Sequence, residues 1–186
     1  MIAGRLALAL LVAAPCALAR AESPVAPLLK PLELVGYASA TEPPQFSGST
    51  VDTRRVSMED LRGKVVLVNF WASWCAECRP EMPVLERLHR ELAPQGLVVV
   101  GINAREDRAV VLRYAREHGL TFPLVLDRDG KINAMYGVVG LPTTFVVGRD
   151  GRAVALAVGP REWAGAPARA LFQALLAEPS PRPGAR

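Results

Sequence analysis

Two cysteines three residues apart, Cys75 and Cys78, are the side chains of this sequence best suited to chemistry. They follow an apolar run that predicts a buried strand, and they stand at the start of a predicted helix. This spacing allows the two thiols to close a small disulfide ring. Because the positive end of a helix favours a thiolate, Cys75 is expected to be the attacking sulfur. Cys78, one turn further on, is expected to resolve the mixed disulfide that Cys75 forms.

A passive structural staple is the alternative reading of this cysteine pair. A ring closed over four residues removes little conformational entropy from the unfolded chain, so such a staple would stabilise the fold very little. The spacing therefore favours a redox function over a structural one.

The composition indicates a single globular domain. The chain has 186 residues, of which 51% are hydrophobic and 22% are charged, so a disordered protein is excluded. A net charge of +4, scattered arginines and 6% aromatic residues give no case for nucleic-acid binding. Three cysteines are too few for a four-thiolate zinc site. No metal and no cofactor is expected.

Residues 1–19 predict a secretory signal peptide and hence a periplasmic location. Arg5 is followed by 14 uncharged residues that end in the small-x-small pattern Ala17-Leu18-Ala19. This run is shorter than the ~20 residues that span a bilayer, although an uncleaved segment that tethers the protein to the inner membrane is the alternative. Cys16 is expected to leave with the signal, because Pro15 precedes it where lipid-signal cleavage requires a small residue.

The prolines predict that the fold occupies residues 46–177. Residues 20–45 carry five of the 16 prolines and are predicted to be an extended tether. Residues 178–186, with alternating prolines, are predicted to be a disordered tail.

The middle of the chain alternates between strand and helix patterns, which implies an α/β fold with a mixed central sheet flanked by helices. Strands are predicted at 46–51, 55–57, 64–70, 97–102, 122–126, 143–147 and 153–158. Helical segments are predicted at 57–63, 76–92, 107–118, from the turn at 127–130 to Tyr136, and 161–177.

Two motifs, Trp-Cys-x-x-Cys within Lys64–Cys78 and Leu-Pro-Thr-Thr within Gly140–Phe145, resemble those of the thioredoxin superfamily. The resemblance is greatest to the exported TlpA/ResA-like thiol–disulfide oxidoreductases. It implies a thioredoxin-like fold with an N-terminal hairpin and an inserted helix–strand unit at 107–126. It also implies that Pro142 is a cis-proline whose loop, with Leu141, holds an extended substrate segment beside the disulfide.

One position departs from minimal thioredoxins. Asn69 stands in the strand where thioredoxins carry a buried Asp that assists proton transfer, and an amide cannot do so at neutral pH. Glu81, one helical turn after Cys78, matches an active-site Glu of the ResA-like group. Glu81 is therefore predicted to exchange a proton with Cys78. The alternative is a solvated charge paired with nearby arginines.

The residues next to the cysteines predict substrate contact and redox tuning. Trp74 is expected to shield the disulfide and to contact substrates, whereas Trp71 is expected to pack in the core. Ala76 and Glu77 lie between the two cysteines. The negative charge of Glu77 opposes the thiolate and favours the disulfide, which is typical of a reductant rather than an oxidant.

The expected function is that of an exported, monomeric protein-disulfide reductase. The resemblance implies an inner-membrane thiol protein as electron donor, and apocytochrome c or a copper-centre assembly protein as acceptor. A copper-binding metallochaperone is the alternative, because a dithiol suits Cu(I). Copper-chaperone relatives, however, use Cys-x-x-x-Cys with a partner His. A binding module with incidental cysteines is the third reading.

Two other chemistries are disfavoured by the residues. A peroxidase of the peroxiredoxin type requires Pro and Thr seven and three residues before its cysteine, where Val68 and Ala72 stand. His89 and His118 are 29 residues apart, which matches no zinc-binding spacing.

Overall fold

A six-stranded mixed sheet forms the centre of the computed structural model, which describes residues 24–180. The strands are β1 (Val35–Thr41), β2 (Ser47–Ser49), β3 (Arg55–Ser57), β4 (Val65–Trp71), β5 (Leu97–Ala104), β6 (Leu124–Asp127), β7 (Thr143–Val147) and β8 (Ala153–Val158). The helices are α1 (Ala26–Leu29), α2 (Cys78–Leu92), α3 (Arg108–Glu117), α4 (Lys131–Met135) and α5 (Ala166–Ala177). Three short 3-10 helices lie at Lys30–Leu32, Glu59–Leu61 and Ala93–Gln95.

The sheet has the strand order β1-β8-β7-β4-β5-β6, with β4, β5 and β6 parallel and the other neighbours antiparallel. β2 and β3 form the predicted hairpin as a separate two-stranded sheet. This arrangement confirms the prediction of an α/β fold with a mixed central sheet. Among residues 24–180, no helix combines the length and apolarity needed to cross a bilayer.

β4 is the centre of the core because every one of its residues is buried. Its side chains alternate between two hydrophobic clusters, as a strand covered on both faces requires. Val65, Leu67 and Trp71 join the cluster that contains the two cysteines, and Val66, Val68 and Phe70 join the opposite one. Gly101 on β5 allows this packing, because a Cβ there would lie 2.9 Å from the Trp71 ring nitrogen.

The predicted tether is wrong for the part of residues 20–45 that the structure describes. α1, the 3-10 helix after it and β1 belong to the fold, and β1 pairs with β8 at the sheet edge. Pro27 and Pro31 lie in the first turns of helical segments, where proline is favoured, rather than in an extended linker. Leu29 and Leu32 are buried in the core cluster that contains the cysteines. Residues 1–23, including the predicted signal, and 181–186 of the predicted tail lie outside the described residues.

Two helices begin later than predicted. α2 starts at Cys78 rather than Ala76, so Cys75 precedes the helix by three residues. α5 starts at Ala166 rather than Arg161, and residues 161–165 form a loop instead. Pro167 explains this start, since proline is favoured in the first turn of a helix and disfavoured in its interior.

The N-terminal segment is testable through Leu32, whose side chain is 4% exposed. Leu32→Ala leaves a cavity in the core cluster that contains the cysteines, and we expect it to lower the free energy of unfolding by about 2–3 kcal/mol. Urea denaturation followed by circular dichroism measures this change. Val35→Ala is the matched control, because Val35 is 68% exposed and truncation there should cost less than about 0.5 kcal/mol. Equal stabilities of the two variants would indicate a tether after all.

Candidate redox site

The two cysteines form a disulfide at the junction between β4 and α2. The side chain of Cys75 is 7% exposed and that of Cys78 is fully buried. The backbone N–H of Cys78 donates a hydrogen bond to Cys75 Sγ, with a nitrogen-to-sulfur distance of 3.1 Å. Because this donor and the N-terminus of α2 both face Cys75 Sγ, they would stabilise a thiolate there after reduction. Cys75 is therefore the more accessible and better activated of the two sulfurs.

The two tryptophans of the redox loop lie in opposite environments. Trp74 is 68% exposed immediately before Cys75, so its ring is available to a docking molecule. Trp71 is fully buried and packs on Tyr114, with ring centroids 5.0 Å apart. Ala76 and Glu77 are exposed between the cysteines, and Glu77 occupies the N-cap position of α2 without forming a side-chain cap.

The loop before β7 lies at the same sheet edge as the cysteines. β7 pairs antiparallel with β4, and Thr143 lies opposite Phe70, so the residue before Thr143 is next to the end of β4. The Leu141–Pro142 peptide bond is cis, and Leu141 is partly buried against the hydrophobic cluster that contains both cysteines. Val139, two residues earlier, is 91% exposed. The loop and Trp74 thus flank the disulfide with apolar surface.

Glu81 is buried, with 4% of its surface exposed, so the alternative of a solvated surface charge is wrong. It lies on α2 one turn after Cys78, on the same helix face. Its Oε1 accepts a hydrogen bond from the backbone N–H of Arg161 at 3.1 Å and a second from the ring N–H of Trp163. Both donors belong to the loop that was predicted as the start of α5.

Asn69 connects the central strand to this carboxylate. Its side-chain nitrogen lies 3.2 Å from Glu81 Oε2 and 2.9 Å from Thr144 Oγ1. The buried acid that minimal thioredoxins carry on the strand is thus replaced here by an amide, and a carboxylate on α2 lies within hydrogen-bond distance of it.

The pKa of Glu81 is raised above its ordinary value of 4.5, mainly because burial disfavours the charged carboxylate. The hydrogen bonds from Arg161, Trp163 and Asn69 stabilise the carboxylate and oppose this shift. A carboxyl group under these opposing influences can hold a proton at a higher pH than an exposed glutamate, and can still release it.

Glu106 was not singled out by the sequence analysis, although it holds the redox loop. It lies in the loop after β5, and its carboxylate accepts hydrogen bonds from the backbone N–H and the hydroxyl of Ser73. Asn103 donates a third hydrogen bond at 2.7 Å. Ser73 precedes Trp74, so these contacts fix the chain just before Cys75. An Asn-x-x-Glu pattern that begins in the last residues of a parallel strand is the signal that could have indicated this role.

The two histidines lie apart from the disulfide chemistry. His89 is half-buried, and its Nδ1 lies 3.4 Å from the backbone nitrogen of Val99. His118 is exposed and stacks on Tyr114, with centroids 4.0 Å apart. Among the residues that the structure describes, no three His, Cys, Asp or Glu side chains form a cluster suited to a metal ion.

Glu81 can be tested by a pH series. Because the folded-state pKa is raised, the stabilisation linked to its proton is fully present below about pH 4.5 and is lost as the pH rises through the folded-state pKa. We expect Glu81→Gln to abolish this loss, which urea unfolding at a series of pH values measures. The variant should also change the pH profile of Cys75 alkylation in the reduced protein.

Glu91→Gln serves as the control, because Glu91 lies on the same helix with its side chain 46% exposed. It should leave both pH profiles as in the wild type. Coincident profiles for Glu81→Gln and the wild type across pH 5–9 would show that the Glu81 proton is linked neither to stability nor to Cys75.

Comparison with known proteins agrees with this geometry. The AhpC/TSA family profile matches residues 40–155. The thioredoxin-like protein YneN of Bacillus subtilis is 41% identical over 120 residues, which cover 63% of this chain and 69% of that protein. The thiol–disulfide oxidoreductase ResA of Bacillus anthracis is 34% identical over 118 residues, covering 63% and 68% respectively.

Solved structures give the same result. A thioredoxin-family thiol:disulfide interchange protein of Chlorobium tepidum is 34% identical with a TM-score of 0.67, covering 75% of this chain and 99% of that chain. A secreted thiol–disulfide isomerase of Corynebacterium glutamicum is 27% identical with a TM-score of 0.64, covering 77% and 89%. These matches confirm the predicted thioredoxin-like fold. The chain belongs to the AhpC/TSA family, and within it to the thioredoxin-like thiol–disulfide oxidoreductases.

Proposed function

We propose that this protein is an exported reductant of disulfides in specific partner proteins. The observation that carries the proposal is the unequal burial of the two cysteines, since Cys75 is 7% exposed and Cys78 is fully buried. A partner can reach only the sulfur of Cys75. The sulfur of Cys78 can react only with Cys75. This order is what a two-step exchange requires.

In the first step the thiolate of Cys75 attacks one sulfur of the partner disulfide. A bond forms between Cys75 Sγ and that sulfur, and the other partner sulfur leaves as a thiolate. In the second step the thiolate of Cys78 attacks Cys75 Sγ and releases the partner's remaining sulfur. Two electrons pass to the partner, and the protein is left with the Cys75–Cys78 disulfide.

Glu81 is proposed as the group that takes the proton of Cys78 during the second step. Cys78 is fully buried, so its thiol needs a nearby acceptor before it can attack. Glu81 follows it by one helical turn and has a raised pKa, which brings the carboxyl nearer to the pH at which it can both accept and release a proton. Asn69 would hold the carboxylate in place.

The direction of electron flow is inferred from Glu77. Its exposed carboxylate lies between the cysteines, at the N-terminus of α2. A negative charge there disfavours a second negative charge on Cys75, so the disulfide is favoured over the dithiol. A protein that prefers its own disulfide gives electrons to its partners.

The setting and the partners are proposed from the sequence. The signal-like residues 1–19 support export, either with cleavage or with retention as an anchor in the inner membrane. Because the periplasm is kept oxidising, the electrons must come from the cytoplasm through an inner-membrane thiol protein. The proposed acceptors are apocytochrome c or a copper-centre assembly protein, each bound by a monomer through Trp74, Leu141 and Pro142.

The proposed roles of the two sulfurs are tested by trapping. Cys78→Ala removes the resolving thiol, so mixed disulfides between Cys75 and partner proteins should accumulate in the native cell. Cys75→Ala removes the attacking thiol and should accumulate none, because Cys78 is buried. Non-reducing electrophoresis followed by mass spectrometry detects these adducts and identifies the partner.

A third variant with both substitutions is the control for adducts of Cys16. Equal trapping by the two single variants would contradict the assignment of Cys75 as the attacking sulfur. Adducts that contain neither apocytochrome c nor a copper-centre assembly protein would contradict the proposed acceptors while leaving the exchange mechanism intact.

A further inference from the structure

A cleft of about 200 Å³ opens beside the redox loop. It is lined by Ser73 and Arg79, by residues of α3 that include Arg113 and Tyr114, and by His118 directly after α3. Ser73 lies two residues before Cys75. The Cα atoms of these two residues are therefore at most about 7 Å apart, which places the edge of the cleft near Cys75. Arg79 is tied to the same place, because its backbone N–H donates to the Cys75 carbonyl at 3.3 Å.

The hydroxyl of Tyr114, a residue that lines this cleft, is a buried hydrogen-bond donor without a partner among the described residues. Tyr114 is 7% exposed, and its hydroxyl oxygen has no hydrogen-bond partner among residues 24–180. Its ring is held between Trp71 and the stacked His118. A buried hydroxyl without a partner costs free energy, so an acceptor atom that reached it from the cleft would be favoured.

The charge of the cleft is also uncompensated. The guanidinium of Arg79 takes part in none of the ion pairs found between residues 24 and 180. Among the described residues that line the cleft, Glu117 is the single acid, and it is paired, at 4.0 Å, with Arg113. The carboxylate of Glu106 nearby is occupied by Ser73 and Asn103. Within residues 24–180, the cleft thus presents the unpaired guanidinium of Arg79 and the unpartnered hydroxyl of Tyr114, a combination that suits a carboxylate.

We propose that this cleft binds the carboxylate of an Asp or Glu side chain of the partner polypeptide, within about three residues of the cysteine that Cys75 attacks. The inference rests on the proposed function, in which a partner chain lies across the redox loop. The cleft would then select partners by charge, separately from the apolar contacts of Trp74 and the Pro142 loop. An acidic residue would speed formation of the mixed disulfide, and a neutral one would not.

The test measures mixed-disulfide formation with matched peptides. The full chain carries Cys78→Ala and Cys16→Ser, so that Cys75 is its one thiol. Each peptide has one cysteine, activated as a disulfide with thionitrobenzoate, and carries either Glu or Gln at the second and third positions on both sides. Cys75 Sγ bonds to the peptide sulfur, and the released thionitrobenzoate thiolate is followed by its absorbance.

This reaction proceeds whichever way the protein transfers electrons in the cell. If the reductase direction fails, the selectivity of the cleft is still measured. The quantity compared is the ratio of rate constants for the Glu and Gln peptides, so a general change in Cys75 reactivity cancels.

We expect the background protein, which carries only Cys78→Ala and Cys16→Ser, to react about fivefold to tenfold faster with the Glu peptide than with the Gln peptide. One ion pair and one hydrogen bond would give a preference of this size. The preference should fall as ionic strength rises. Adding Arg79→Gln or Tyr114→Phe should each reduce it to about twofold or less, and Tyr114→Phe should not lower the melting temperature. Arg87→Gln is the matched control, because Arg87 is exposed on the same helix but does not line the cleft.

Three outcomes would overturn the proposal. The background protein could react equally fast with both peptides, or Arg87→Gln could reduce the preference as much as Arg79→Gln does. The third is that millimolar glutarate slows both peptides equally, which would indicate a site for free carboxylates rather than for a partner side chain.

Discussion

The position of β4, buried on both faces and hydrogen-bonded between β5 and β7, determines the geometry of the whole redox site. The redox loop leaves its C-terminal end and leads into α2. Its antiparallel pairing with β7 brings the loop that contains Pro142 to the same edge. Asn69, the one polar residue of the strand, points to the face on which the cysteines and Glu81 lie. The strand thus positions Cys75, the adjacent cis-proline loop and the buried carboxylate together.

A second feature of the site is the buried carboxylate of Glu81, one helical turn after Cys78. Burying a charged group is costly unless hydrogen bonds compensate, and Glu81 has three donors for this purpose. Two of them come from the loop at 161–165, which lies about 80 positions along the chain from Glu81 and before the start of α5. The fold therefore contributes structure from its C-terminal region to a site built by its first parallel strand. Such an arrangement is expected at functional sites, where perturbed carboxyl groups are concentrated.

Much of the fold could be predicted from the sequence because its signals are local. A β-branched run gave β4, helical spacing gave α2, and the turn at Arg149-Asp150-Gly151 gave the hairpin of β7 and β8. The cysteine pair and Pro142 were recognised from short motifs. The prediction of an extended tether from the N-terminal prolines was wrong, because proline starts a helical turn as readily as it extends a linker.

The contacts around the site could not be predicted, because they join residues that are distant in sequence. Nothing local to Trp163 indicates that its ring nitrogen donates to Glu81, and nothing local to Ser73 indicates Glu106. The loop at residues 161–165 could not be predicted, because those residues also fit a helical pattern. Each of these features depends on tertiary packing that outweighs local preference.

The reduction potential of the Cys75–Cys78 pair is the most direct measure of whether the pair donates electrons, as we propose. Equilibration of the purified protein with glutathione or dithiothreitol buffers, read out by the fraction of protein alkylated, gives this value at pH 7. We expect a potential nearer to that of thioredoxin, about −270 mV, than to that of the strong periplasmic oxidant, about −120 mV. A potential more oxidising than about −180 mV, the value typical of a disulfide isomerase, would contradict it.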